Sequence, residues 1–375
     1  MYNQIGEDAL FIMLYGVVTA MSVIASFYLL FRRANAIAPD ITPPARLRRW
    51  TAAYFASIAL NHVWYMPIFF LTSSEDIRLC DLIGGLLDCM TVLPLSIVVL
   101  LVILQDRRRP LWPVAVMMVP LVVVEAFCIA NRSYALLPVM YGYFLLLCIG
   151  LTIYMVRAVR QYGRWLRDNY ADLEHKEVWQ SFVVLAIILL VFGIYTYIYE
   201  GTAYLYAMLA GFALQICYLL WRVETLSDLS IPQSAGLPVA EATTTEAETA
   251  EGNGLSQATC ANIGALLQKH CIDAQLYLQH DLSLLQLAKA VGTNRFYLSQ
   301  YFTTVGMTYN AYINDLRINH FVSLFHESVG NHRSFTAQQL AHESGFHNYN
   351  TFSSAFKRKM GQPVTTWMKA HKGLG

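Results

Sequence analysis

The chain has 375 residues, enough for two or three domains, and it is 56% hydrophobic with only 14% charged residues. Soluble domains carry about a quarter charged residues, so this balance excludes an ordinary soluble chain and assigns much of it to lipid. The net charge of +1 hides an asymmetry: residues 257–375 hold ten Lys or Arg against five Asp or Glu, while Val223–Ser256 has six acids and no base.

From the N-terminus, apolar runs long enough to span a bilayer occur at Ala9–Phe31, Thr51–Thr72, Leu79–Leu104, Leu111–Ala130, Tyr134–Val156, Ser181–Tyr199 and Ala203–Trp221. The first is not a signal peptide, because Glu7 and Asp8 precede it and its apolar core is too long. Loop charge sets the orientation. Arg32, Arg33, Arg46, Arg48 and Arg49, then Arg107–Arg109, then Arg157, Arg160, Arg164, Arg167 and Lys176, and finally Arg222 lie on one side; the other has only Arg78 and Arg132. Basic loops stay in the cytoplasm, so residues 1–226 are expected to form a seven-span domain with its N-terminus outside, in a bacterial inner membrane. The tyrosines Tyr195, Tyr197, Tyr199, Tyr204 and Tyr206 read as an outer interfacial belt, and Arg157–Gln180 as an interfacial helix on the inner leaflet.

Ionisable residues inside the spans are costly and line bundle interiors or cavities. Asp81 and Asp88 share a face of the third span, Glu125 lies in the fourth, Glu200 caps the sixth, and Asn61 and His62 sit in the second. Asp81, Asp88, Glu125 and His62 are the candidate pocket for a cationic or polar signal. The simpler reading is helix–helix glue.

Residues 227–256 lack aromatics and bases and are rich in Thr, Ala, Glu, Pro and Gly, which predicts a disordered acidic linker. As a coil it would reach roughly 30 Å.

The C-terminal part, 257–375, contains a repeated pattern. Ser283–Gly306 and Thr336–Gly361 each open on a hydroxyl residue followed three positions later by Gln and then Leu-Ala, a capping-box start. Each then has a Gly, Gly292 or Gly345, at a turn, and a second helix with Leu298 and Phe302 or Phe352 and Phe356 facing inward. Helix, glycine turn and helix make a helix-turn-helix, so two units are expected at 282–306 and 335–361. Between them Tyr309–Glu327 carries apolar residues at helical spacing, a rod of roughly 27 Å. Such a rod would let one monomer read two successive major grooves of double-stranded DNA. Helix geometry leaves Arg295, Phe296, Ser299 and Gln300 for the first groove, and Asn348, Tyr349, Asn350, Ser353 and Ser354 for the second, with Lys357, Arg358 and Lys359 on phosphates. The basic tail of that helix equally suits its dipole.

Through SLLQLAKAVG, YLSQYF, GMTYNAYINDLR, LAHESGF, TFSSAFKRKMG and Trp367, the segment from about Leu255 to Lys372 resembles the DNA-binding domain of the AraC/XylS family of bacterial transcription activators. One departure is Gln362–Pro363–Val364, where the family more often has a residue followed by Thr-Pro; the recognition helices are untouched by it. The N-terminal part does not resemble the family's soluble sugar-binding barrel, so effectors of soluble members do not carry over.

The expected fold class is all-α: a transmembrane bundle, a linker and a tandem helix-turn-helix domain. The leading function is a membrane-anchored one-component transcription regulator, with DNA, the lipid bilayer and a signal as partners, RNA polymerase if it activates, and a homodimer as a compatible assembly. Two other functions fit less well: a membrane-latched factor released by linker proteolysis, and a transporter with an autoregulatory DNA-binding tail. Seven scattered cysteines without CxxC or Cys/His spacing, and the absence of HExxH or GxSxG, leave no metal site, cofactor or catalytic residue to expect.

Overall fold

The structure, a computed structural model, describes residues 9–32, 35–39, 41–187, 202–229 and 255–371. Among them every regular element is helical, and the only β pairing is an isolated bridge between Tyr170 and Ser283. The chain divides into one unit formed by Met1–Tyr162 and Val178–Pro232 and another formed by Gly163–Glu177 and Gln233–Gly375.

The first unit contains α1 (Ala9–Phe31), α2 (Ala45–Tyr65), α3 (Ser74–Met90), α4 (Val92–Val102), α5 (Trp112–Asn131), most of α6 (Leu137–Asn169) and α7 (Thr202–Thr225). Among the described residues, five stretches are long and apolar enough to cross a membrane: Ala9–Phe31, Ser74–Val102, Trp112–Asn131, Leu137–Asn169 and Leu205–Thr225. Two of the seven expected spans are therefore not among them. The run at Thr51–Thr72 is α2 followed by a 3-10 turn at Met66–Phe69. α2 starts as early as Ala45, so Arg46, Arg48 and Arg49 join its first turns and lower its average hydrophobicity. It packs against α1, α3, α4 and α7, with Leu47, Ala52, Phe55 and Ile58 fully buried. Most of the run at Ser181–Tyr199, with Tyr195, Tyr197, Tyr199 and Glu200, lies outside the described residues. Nearly all of the linker 227–256 does too.

The third span is broken. Thr91 leaves the helical region at φ −128° and ψ −71°, separating α3 from α4. The cause is Pro94: it has no N–H for the carbonyl of Met90, four residues back, and its ring crowds that carbonyl. Small polar groups join helices here, as when Ser26 Oγ donates to Ala52 O at 2.9 Å. The residues after α7 are tied down. Asp228 N donates to Thr42 O at 2.9 Å, Gln105 Nε2 to Ser227 O at 3.0 Å, and Leu229 N to Gln105 Oε1 at 2.9 Å.

The second unit contains α8 (Gln257–Leu267), α9 (Leu284–Val291), α10 (Arg295–Val305), α11 (Tyr309–Gly330), α12 (Ala337–Glu343), α13 (Tyr349–Met360) and α14 (Val364–His371). Two cores form on either half of α11. Tyr309 and Ile313 belong to the first, with Leu287, Leu298 and Phe302; Ile318, Phe321 and Phe325 belong to the second, with Phe346, Phe352, Phe356 and Trp367. Between them sits Arg317, only 1% exposed. Its Nε donates to Tyr277 O and its Nη2 to Gln279 O, both at 2.7 Å, and its guanidinium lies 5.6 Å from the Phe346 ring centroid. One side chain thus ties α11 to the connector before α9 and to the second core.

Helix ends follow the sequence closely, with one difference. At α9 the capping box is complete: Ser283 Oγ accepts from Gln286 N at 3.3 Å and Gln286 Oε1 from Ser283 N at 2.8 Å. At α12 Thr336 Oγ1 accepts from Gln339 N, but Gln339 Nε2 donates forward to Glu343 Oε1 at 3.0 Å. An acid one turn on, as a charged acceptor, takes the amide that would have reached back. Both turn glycines have positive φ, +76° at Gly292 and +93° at Gly345. Gly345 is constrained a second time, because a Cβ there would lie 2.8 Å from Leu278 Cα.

Arg317→Ala should leave two backbone carbonyls without their donor and lower the stability of the second unit by about 3 kcal/mol. Calorimetry of the detergent-solubilised chain should show its transition fall by roughly 10 °C or more, and Arg317→Lys, whose single nitrogen lacks the planar Nε and Nη2 pair that meets the two carbonyls, should restore little of it.

Candidate nucleic-acid interface

α10 is the second helix of the first unit. Asn294 caps it, its Oδ1 accepting from Tyr297 N at 2.9 Å, and Gly306 ends it in the left-handed region. Leu298 and Phe302 turn into the core, which leaves Arg295 and Phe296 exposed and Ser299 and Gln300 half-buried. Phe296 is 51% exposed, an unusual position for a ring at the start of a short helix. Such a ring can meet a thymine methyl, and a Gln amide such as that of Gln300 pairs with adenine through two bonds. Tyr297, 40% exposed and edge-on to Phe296 at 5.9 Å, belongs to the same surface and was not singled out from sequence. The capping position of Asn294 was the available signal, since residues just after the cap of a recognition helix face the groove.

α13 occupies the same place in the second unit. Phe352 and Phe356 are fully buried, while Asn350, Ser354, Lys357 and Arg358 are exposed and Ser353 half-buried. Three expected residues behave differently from that exposed set. Asn348 is the N-cap: its Oδ1 accepts from Asn350 N at 2.6 Å and its Nδ2 donates to Glu174 Oε1 at 2.7 Å. Tyr349 is half-buried against Phe352, ring centroids 5.7 Å apart. Lys359 does not point outward with Lys357 and Arg358. Its Nζ donates to Asp315 O and Asn319 Oδ1, both at 2.8 Å, bracing α13 against α11. Burial lowers its pKa, and the charge of Asp315 works against that shift.

His280, His342 and His347 cluster beside α12, with ring centroids 4.8 and 5.9 Å from His280. His280 Nδ1 lies 3.1 Å from Gly345 O, and burial holds the His280 pKa below its ordinary value of 6.5. Among the described residues no group of His, Cys, Asp and Glu is arranged to hold a metal ion.

The residues singled out within the apolar helices separate into two places and an exposed position. Asp88 receives bonds from Asn61 Nδ2 at 2.9 and 3.0 Å and from Tyr65 OH at 3.1 Å. Glu125 joins this side of α3, its Oε1 2.8 Å from where a Gly85 Cβ would stand, and its Oε2 is buried without a hydrogen-bond partner among the described residues. His62 is elsewhere: its Nδ1 lies 2.8 Å from Ile58 O and its ring packs on Tyr15 and Phe212. Asp81 is exposed on α3. Tyr65 belongs to the Asp88 cluster and was not foreseen; it lies one helical turn after Asn61, on the same face.

Three outcomes are expected. Gln300→Ala and Asn350→Ala should each relax base preference at one position, costing roughly 1–3 kcal/mol in a binding-site selection assay. Lys357→Ala should weaken binding to every sequence and flatten its dependence on salt. His280, with a lowered pKa, binds its proton more readily in the unfolded chain, so its contribution to stability is present above pH 6.5 and lost below it. Unfolding of the second unit at pH 7.5 and 5.5 should show the decline, and His280→Asn should reduce it.

A family model described as "Helix-turn-helix domain" matches residues 287–370, from within α9 to α14. Among curated proteins and among solved structures nothing matches the chain. Two capped helix pairs, two cores around one central helix and this match converge on one assignment: residues 287–370 are a helix-turn-helix domain of the AraC type.

Proposed function

We propose that this chain is a membrane-anchored one-component transcription regulator. The observation that carries the reading is the coexistence, in one chain, of an AraC-type helix-turn-helix domain and, among the described residues, five helical stretches long and apolar enough to cross a bilayer. An AraC-type domain points to a DNA-binding regulator, not an enzyme. On this reading Arg295, Phe296, Ser299 and Gln300 address one major groove and Asn350, Ser353 and Ser354 the next. Lys357 and Arg358 meet phosphates, and Asn348 and Tyr349 set the second helix's leading end. The basic loops support a domain on the cytoplasmic side of a bacterial inner membrane.

The signal site in this proposal is the Asp88–Asn61–Tyr65 cluster with Glu125. Two carboxyl groups close together inside apolar helices favour a cationic ligand or a proton, because either relieves their mutual repulsion. Pairing of two chains would raise occupancy of a double site through effective concentration alone.

Mapping genome-wide binding sites for the full chain and for an Asp88→Asn/Glu125→Gln double variant tests both halves. The full chain should occupy discrete promoters, and the double variant should occupy them at a level that no longer follows growth conditions. Absence of any enriched site for the full chain would remove the regulator reading. A normal response from the double variant would remove only the signal site.

A further inference from the structure

The chain that continues α6 is seated on the helix-turn-helix domain as part of the second unit. Ala171 is fully buried as a member of the first core. Its N–H donates to Leu282 O at 3.4 Å, beside the bridge from Tyr170 to Ser283, the cap of α9. Its carbonyl accepts from Asn310 Nδ2 at 2.6 Å and from Asn314 Nδ2 at 3.4 Å. Tyr170 O accepts a second bond from Asn310, at 3.2 Å. Farther along, Lys176 Nζ pairs with Asp281 Oδ1 at 3.0 Å, and Glu174 Oε1 accepts from the Asn348 cap of α13 at 2.7 Å.

Asn310 and Asn314 explain why this seat can open. Both are buried on a helix whose other inward residues are mainly apolar, and their amide groups serve the backbone of Tyr170 and Ala171. Buried amides cost stability unless bonded, but water can satisfy them once uncovered; the residue that the strap gives to the first apolar core is an alanine, and its other buried side chains, Asp172 and Lys176, are charged and readily hydrated. The contact at α13 is not fully satisfied, since Glu174 Oε2 is buried without a hydrogen-bond partner among the described residues. Burial also raises the Glu174 pKa.

A recognition helix enters the groove at its N-terminal end. An acidic side chain bonded to the cap of α13 stands where phosphates and base edges must approach, and like charge opposes them. We propose that Tyr170–Lys176 is an inhibitory strap: seated, it holds Glu174 across the start of the second recognition helix; released, it opens that helix to DNA. The strap follows α6 without a break, so displacement of this apolar helix reaches it through the backbone. The inference rests on the DNA-reading function above and adds its regulation.

The test uses the full chain in lipid nanodiscs and a mixed-sequence duplex of about 30 base pairs, long enough for two successive grooves. Two uncharged changes free the strap: Ala171→Trp, too large for the core, and the double change Asn310→Ala/Asn314→Ala, which removes its amide donors. Amide exchange over residues 170–176 reports seating, and fluorescence anisotropy at low salt reports DNA affinity. The wild-type strap should be protected and each variant's strap exposed, with affinity rising about tenfold, as for a strap seated roughly nine-tenths of the time. Exposed straps with unchanged or weaker affinity would overturn the inhibitory role and leave the DNA-reading function standing. A wild-type strap that exchanges freely would overturn the seat itself. No DNA binding by any of the three chains would remove the DNA-reading function, and the strap's role with it.

Discussion

The DNA-binding unit depends on one buried charge. Arg317 sits where α11 passes from the first core to the second, and burial pulls its pKa down while its two hydrogen bonds need the charge kept. A leucine there would be accepted by either core alone. It would not hold the carbonyls of Tyr277 and Gln279, which come from the connector before α9. That connector is also where Leu278 touches the Gly345 turn of the second unit. The forked guanidinium therefore fixes how two independent helix pairs are mounted on one rod.

The apolar unit obeys a different constraint. On the proposed function it lies in lipid, where sequestering apolar surface from water does not favour one helix arrangement over another, so close packing and small polar bonds decide which helices touch. Ser26 reaching Ala52 O, and Asn61 and Tyr65 converging on Asp88, are contacts of that kind. Beside them, Glu125 has one carboxylate oxygen without a hydrogen-bond partner among the described residues, a feature that stability alone does not favour.

Much of the helix-turn-helix architecture was legible in the sequence because its signals are local. Ser283, Asn294 and Thr336 cap the helices that follow them, and Gly292 and Gly345 have the positive φ that their turns require. The start of the second span was less legible. Hydropathy finds apolar runs but does not find where a helix begins, and starting α2 at Ala45 draws three arginines into it. The break before Pro94 follows from a local rule that hydropathy alone does not apply.

By itself the sequence determined an all-helical chain, apolar helices in its first part, and two capped helix pairs around a central amphipathic helix. Each of these is carried by periodicity, capping and glycine, which act within a few residues. Only the tertiary structure decided that Lys359 braces α11 and that His62 packs away from Asp88. It alone seated Tyr170–Lys176 on the helix-turn-helix domain. Glu174 and Asn348 are 174 positions apart, as are no partners that a local pattern can record, and their contact exists only because hydrogen-bond donors distant in sequence are brought to one surface by folding.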